Sequence, residues 1–173
     1  MPQLRLQQLR RWYGHIRDLG VNTILFGPLF ESERHGYDTI NYRRIDRRLG
    51  DMNLFAEIVA ELHEHGFRVL LDGVFNHTGR SFFFRHLREH GPTSRYAAWY
   101  HIDPTQDSPY GDGFSYHCWH GHFRLPTLNL MHPDVRDYLF ETARFYLADI
   151  GIDGRQHGVG RYPSSCDAST RRL

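Results

Sequence analysis

Leu6, Leu9, Trp12 or Tyr13, Ile16 and Leu19 recur at three-to-four spacing, which predicts an amphipathic helix over roughly 4–19. Gly20 suits the left-handed position that ends such a helix. VNTILF (21–26) follows, a short β-rich apolar run closed by Gly27 and Pro28, and reads as a buried strand. A polar loop then carries ESERHGYDTINYRRID. Asp51 or Asn53 can cap the next helix, whose apolar stripe is Phe55, Ile58, Val59 and Leu62, with Gly66 just past its end. FRVLL (67–71) is the second buried strand. Pro133 and Asp134 open a third helix, with Val135, Tyr138, Leu139, Thr142, Phe145 and Tyr146 on one side. Short apolar runs alternating with amphipathic helices predict an α/β fold with a parallel sheet.

Between the second strand and the third helix lies a long segment without sustained period, longer than an ordinary connection. It is dense in aromatics: Phe82, Phe83, Phe84, Tyr96, Trp99, Tyr100, Tyr110, Phe114, Tyr116, Trp119 and Phe123. Two readings are open. The rings form a platform for flat sugar faces, or an insertion without its own sheet uses large side chains to make a small core.

Composition narrows the classes. At 173 residues the chain can bury one core but falls short of the ~250 typical of a complete (β/α)8 barrel. A formal charge of +1 offers no field for nucleic acid or an anionic membrane. Arg43, Arg44, Arg47 and Arg48 cluster, but Asp46 and Asp51 lie among them, so a solvated face is the expectation rather than a phosphate site. Two cysteines, Cys118 and Cys166, make no disulfide framework. With no run of signal-peptide or membrane-span type, the expected location is the cytoplasm.

Candidate chemistry sits where strands end. In parallel α/β architectures the working groups lie at the carboxyl ends of strands. Asp72 closes VLLD and His77 follows five residues on, in VLLDGVFNHTG, while Tyr37 and Asp38 lie in the loop after VNTILF at the same end. Tyrosine can stack on a pyranose, and histidine and aspartate can take hydroxyl hydrogen bonds. Asp72 reads equally well as a buried acid that ties down a loop.

LLDGVFNHTG resembles the first signature region of the alpha-amylase family of glycoside hydrolases. Further blocks fall in that family's order: GVNTILFGPLFES is similar to its second strand, and HGYDTINYRRIDRRLGD to its GYDTxDYxxIDxxLG segment. LPTLNL ahead of HPDVRDYL is similar to the stretch before the third helix, and WYHID, GDGFSY and WHGHF resemble the neopullulanase and cyclomaltodextrinase branch. The resemblance implies a partial (β/α)8 TIM barrel, about strands two to four. Residues 1–75 would be barrel, 76–131 an aromatic-rich subdomain inserted after strand three, and 132–154 the third helix and the start of strand four. It implies an α-glucan or maltooligosaccharide substrate, with Tyr37 stacking on the sugar, His77 hydrogen-bonding it, and Asp72 holding an active-site arginine. Asn76 occupies a position that ligates calcium in some members; this branch often dispenses with the ion, and no metal is expected here.

The likeness stops at the second signature, GIDGxRxDxA. Here the chain reads GIDGRQHGVGRYPSSCDASTRRL. Gln156 stands at the arginine position and Gly158 at the nucleophile position. Arg155 is one step early, and one step along a strand turns a side chain to the other face. Asp153 belongs to the turn. Residues 155–173 lose apolar periodicity and are expected to be an out-of-frame tail. Retaining hydrolysis needs two carboxyl groups about 5–5.5 Å apart, so the implied chain binds sugar without cutting it. Two rival readings remain: a non-catalytic α-glucan-binding remnant, and a small zinc protein using His117, Cys118, His120 and His122.

Overall fold

The computed structural model describes residues 5–156. A 3-10 helix (Arg5–Trp12) runs into α1 (Tyr13–Asp18), where one continuous α-helix is expected from the spacing. The Leu6 N–H is committed to the Leu49 carbonyl at 3.0 Å, which ties the first turn to a neighbouring loop. β1 is Thr23–Phe26, and β2 (Phe30–Ser32) pairs antiparallel with β3 (Thr39–Ile45). This ladder replaces the expected polar loop. α2 is Met52–Glu64, and Asp51 caps it by accepting from the Leu54 N–H at 2.9 Å. β4 is Arg68–Asp72.

The segment expected to be aperiodic holds α3 (Phe83–His90), two short antiparallel pairs and two 3-10 turns. β5 (Ile102–Asp103) pairs with β6 (Ser115–Tyr116), and β7 (Cys118–Trp119) with β8 (His122–Pro126). α4 is Pro133–Arg144, continued by a π-helical turn over Phe145–Ile150. β9, Gly154–Gln156, is the last described element. Gly20, Gly66 and Gly151 all have positive φ at the ends of their helices, as their positions predict.

β1, β4 and β9 form a three-stranded parallel sheet in that order, with Leu25 opposite Leu70, and Leu70 opposite Gly154. Alternation decides what each face meets. Val69 and Leu71 are fully buried with Phe55, Ile58 and Leu62 of α2, and Phe26 meets Phe55 edge-on at 5.6 Å. On the other face Leu25 is 49% exposed. Among the described residues β1 pairs with β4 alone, so its outer edge is open.

The aromatic segment joins the same buried cluster as the sheet. Phe84, Phe114 and Tyr116 are almost fully buried, and Phe84 meets Tyr116 at 4.6 Å and Tyr100 at 4.9 Å, both edge-on. Most of these rings therefore do core work. An ion pair between Arg80 and Asp112 (2.5 Å), both nearly buried, fastens the segment, with Arg80 over the Tyr110 ring at 4.1 Å.

Candidate functional site

Two loops meet at the carboxyl end of the sheet. The first, after β1, presents Tyr37. Its shape is set by Asp38, which is buried and whose carboxylate accepts from the Arg34 and His35 N–H groups at 3.2 and 3.1 Å. Gly36 takes φ 95°, and a Cβ there would lie 3.1 Å from the Pro28 side chain, so no larger residue fits without strain. Asp46 holds the base of the loop. It accepts from the Ser32 backbone and hydroxyl at 3.2 and 2.9 Å and from Arg48 Nε at 2.7 Å. Burial works to raise the Asp46 pKa, but these donors prevail and keep it well below the carboxylate range.

The second loop, after β4, carries Asn76 and His77 and is tied on three sides. Tyr42 of β3 donates its hydroxyl to the Val74 carbonyl at 2.6 Å and faces the His77 carbonyl at 3.3 Å. The Leu128 N–H donates to Asn76 O, and the Thr78 N–H to Pro126 O. The Gly79 N–H donates to Thr39 O at 2.8 Å, and a Cβ on Gly79 would stand 2.6 Å from Asp38 O. That close approach needs glycine, and it brings the two loops together.

Tyr37 and His77 are thus neighbours with opposite exposure. Tyr37 is 47% exposed and His77 only 6%. Burial pushes the His77 pKa down to about 4, against a weaker opposite pull from the Tyr37 backbone and the Asp38 charge. The ring is therefore neutral near pH 7. Asn76 Nδ2 lies 3.2 Å from His77 Nδ1, and an amide nitrogen can only donate. In this amide orientation the proton sits on Nε2, which is buried and has no hydrogen-bond partner. An orphaned buried donor is costly. Trp119 lies beside the imidazole at 5.7 Å, tilted by 38°, and is itself stacked on His122 at 5.6 Å.

Asp72 ends β4 half-buried, on the side of Leu70, and lies opposite Gln156 in the parallel register. Arg155, the next residue back on β9, occupies different surroundings. Its guanidinium lies over Phe75 at 4.8 Å, Tyr146 at 5.0 Å and Phe30 at 5.9 Å. Nη2 reaches Thr142 O at 3.4 Å, whereas Nε and Nη1 are buried without partners. Burial lowers its pKa to about 10. Asp153 sits at the start of the strand, clamped by the Val69 N–H at 2.7 Å and His63 Nε2 at 2.8 Å; the Val69 bond, then His63, holds its pKa low despite some burial. It is a strand fastener. Gly158, and the tail expected over 155–173 apart from Arg155 and Gln156, lie outside the described residues.

The histidine cluster does not converge. β7 and β8 form a hairpin whose tip is His120 at φ 47° and Gly121 at φ 79°, so neighbouring side chains diverge. His117 stacks on His101 at 5.1 Å, and Cys118 is fully buried. Among the described residues no group of three or more His, Cys, Asp or Glu side chains is placed to hold a metal ion. The zinc reading therefore has no set of three ligands among the described residues. The arginine cluster is likewise partly neutralised, Arg47 pairing with Glu31 and Arg48 with Asp46.

The catalytic-domain family model of the alpha amylases matches residues 11–164. The chain belongs to the alpha-amylase family. A cyclomaltodextrinase of Bacillus sp is 40% identical over 147 residues, which are 81% of this chain and 25% of that protein. Neopullulanase 2 of Thermoactinomyces vulgaris is 38% identical over 143 residues, 81% of this chain and 24% of that protein. The structure of the cyclic alpha-maltosyl-(1→6)-maltose hydrolase from Arthrobacter globiformis in complex with maltose superposes with a TM-score of 0.82 at 32% identity, covering 89% of this chain and 35% of that one. The chain thus spans about a quarter of the length of the curated relatives it matches. Within the family's catalytic domain it contributes helices and a parallel sheet. No helix of the described residues is long and apolar enough to cross a membrane.

Proposed function

We propose that this chain supplies the sugar-gripping wall of a cleft for α-glucosidic bonds of starch-derived oligosaccharides, in the cytoplasm, and that on its own it holds maltooligosaccharide without hydrolysing it. The observation that carries the first half is the His77 Nε2, buried without a hydrogen bond in a loop held against the backbone of the exposed Tyr37. A neutral imidazole offers one donor to a sugar hydroxyl while the phenol ring lies under the pyranose face. Asp72 would hold the strand end and orient groups on the neighbouring strand. Trp119 extends the apolar wall past His77, and residues 76–131 act as the inserted unit. Neither a metal nor another cofactor is needed for gripping.

Support for the second half is chemical. An attacking carboxylate is required opposite a proton donor, and Gly158 stands at its place in the family's motif. Arg155 cannot substitute for the missing arginine at position 156, because its guanidinium is buried among Phe30, Phe75 and Tyr146. The rival of a simple glucan-binding remnant shares these contacts and differs only in history.

Calorimetric titration of the full chain with maltoheptaose, paired with an assay for released reducing sugar, tests both halves. Heat without sugar release is expected. Tyr37→Ala should weaken binding about tenfold, the ~1.4 kcal/mol of one stacking contact, with unchanged circular dichroism. No heat at millimolar ligand would sink the gripping role; released glucose or maltose would sink the claim of no turnover.

A further inference from the structure

Away from the cleft, α3 ends in two histidines one turn apart. The rings of His86 and His90 stack with centroids 3.9 Å apart and planes 12° from parallel. His90 Nδ1 lies 3.0 Å from the His86 carbonyl oxygen. A carbonyl only accepts, so the His90 proton is on Nδ1 and the lone pair on Nε2. His86 Nδ1 lies 2.8 Å from Ser94 Oγ. That hydroxyl is buried and accepts from the Tyr96 N–H at 3.1 Å. Its second lone pair can take the His86 Nδ1–H, which frees the lone pair of His86 Nε2 as well. Outer partners of this kind, a carbonyl or a hydroxyl on one ring nitrogen, are what orient metal-ligating imidazoles.

We propose that His86 and His90 form a two-imidazole site for a divalent transition ion, Cu²⁺ ahead of Ni²⁺ and Zn²⁺, with water in the remaining positions. Side chains four apart on a helix are neighbours on one face, and imidazole ligands favour these ions in the Irving–Williams order. His90 is exposed and His86 half-buried, so the His90 ring can turn out of the stack and give up its bond to the His86 carbonyl, bringing its Nε2 toward that of His86. No third His, Cys, Asp or Glu side chain joins them among the described residues, which makes the site open and exchangeable rather than a closed structural one. Hard, oxygen-seeking ions such as Ca²⁺ and Mg²⁺ have no claim on it. Bound metal would clamp the last turn of an eight-residue helix, packed through Phe83 on Tyr96 at 4.5 Å. The site is independent of the glucan reading.

The test is a Cu²⁺ titration of the full chain, free of any affinity tag, at pH 7.5, by calorimetry and by electron paramagnetic resonance. The expected result is one tight equivalent with the hyperfine signature of two nitrogens, and a raised melting temperature. His86→Gln and His90→Gln should each weaken that equivalent at least tenfold and remove the melting shift, with unchanged circular dichroism. Ser94→Ala should weaken it about tenfold, as removal of an outer partner does. The chain has 13 histidines, so weaker equivalents elsewhere are expected in every variant. The same affinity and the same signature in His90→Gln, or no tight equivalent in the unaltered chain, would overturn the proposal.

Discussion

The carboxyl ends of β4 and β9 lie side by side in one sheet and are built to different standards. Beyond β4, every turn of the loop is fastened: Tyr42 to Val74, Leu128 to Asn76, Thr78 to Pro126 and to the Tyr100 hydroxyl at 3.1 Å, Gly79 to Thr39. The group without a hydrogen bond there, His77 Nε2, lies in a ring that packs beside Trp119. On β9 the arginine is pressed into a helix-side cage of three aromatic rings with two nitrogens unpartnered and one long bond, from Nη2 to the Thr142 carbonyl. Cation–π attraction recovers part of that loss. Both unsatisfied groups are buried, but the His77 ring lies in a loop at the strand ends and Arg155 within the aromatic core. Under the proposed function, the β4 end is the one that would meet ligand, and β9 is the strand on which Gln156 stands where the family's motif has arginine.

The largest test of that contrast is Tyr42→Ala. Tyr42 is fully buried, packs on Phe30, Phe75 and Phe82, and links two elements to the His77 loop. Its loss should cost about 3–5 kcal/mol, read as a lowered denaturant midpoint, and abolish glucan binding. Next comes acid. His77 is neutral and buried when folded, with its pKa about 4 against the ordinary 6.5, so the unfolded chain binds the proton more readily. The stability it contributes is whole above pH 6.5 and drains away as pH falls toward 4, by up to ~3 kcal/mol. His77→Gln should flatten that part of the pH profile; an unchanged profile would show that the imidazole is not desolvated.

Thr78→Val is a smaller probe of the same end. It strands the Tyr100 hydroxyl in the core and should cost about 1–2 kcal/mol. Arg155→Leu probes the other end and should move in the opposite direction. Removing two unpartnered donors from an aromatic cage should stabilise by about 1 kcal/mol, or raise Tm by about 2–4 °C. A lower Tm would mean that the guanidinium belongs where it is, and the contrast between the two ends would fail.

How much of this was readable beforehand depends on the length of each signal. α2 was legible because thirteen residues repeat an apolar stripe behind a capping Asp51. β1 and β4 were legible as apolar runs bounded by glycine. β2 and β3 were not. β2 is buried at all three positions, the buried positions Thr39, Tyr42 and Ile45 of β3 fall three apart, and the register shifts between the two strands break the alternation that strands usually show. α3 was missed since only Phe84 and Leu87 of its eight residues are buried, too few to set a period. The widened turn at Phe145–Ile150 hides inside an ordinary helical pattern. At the candidate site, Tyr37, Asp72 and His77 stood out by their place after apolar strands and took their roles from motif resemblance, and the structure brings the loops of Tyr37 and His77 together. Neither the Tyr42 tether nor the Trp119 contact could be read from spacing, because both depend on partners more than thirty residues away.

The open flank of β1 has its own consequence. Among the described residues TILF pairs on one side only, next to a leucine half in water, and such a margin zips onto any extended chain of similar kind. Crowding this polypeptide should therefore drive it to recruit strands from its neighbours, so that its state in solution is set by concentration as much as by sequence.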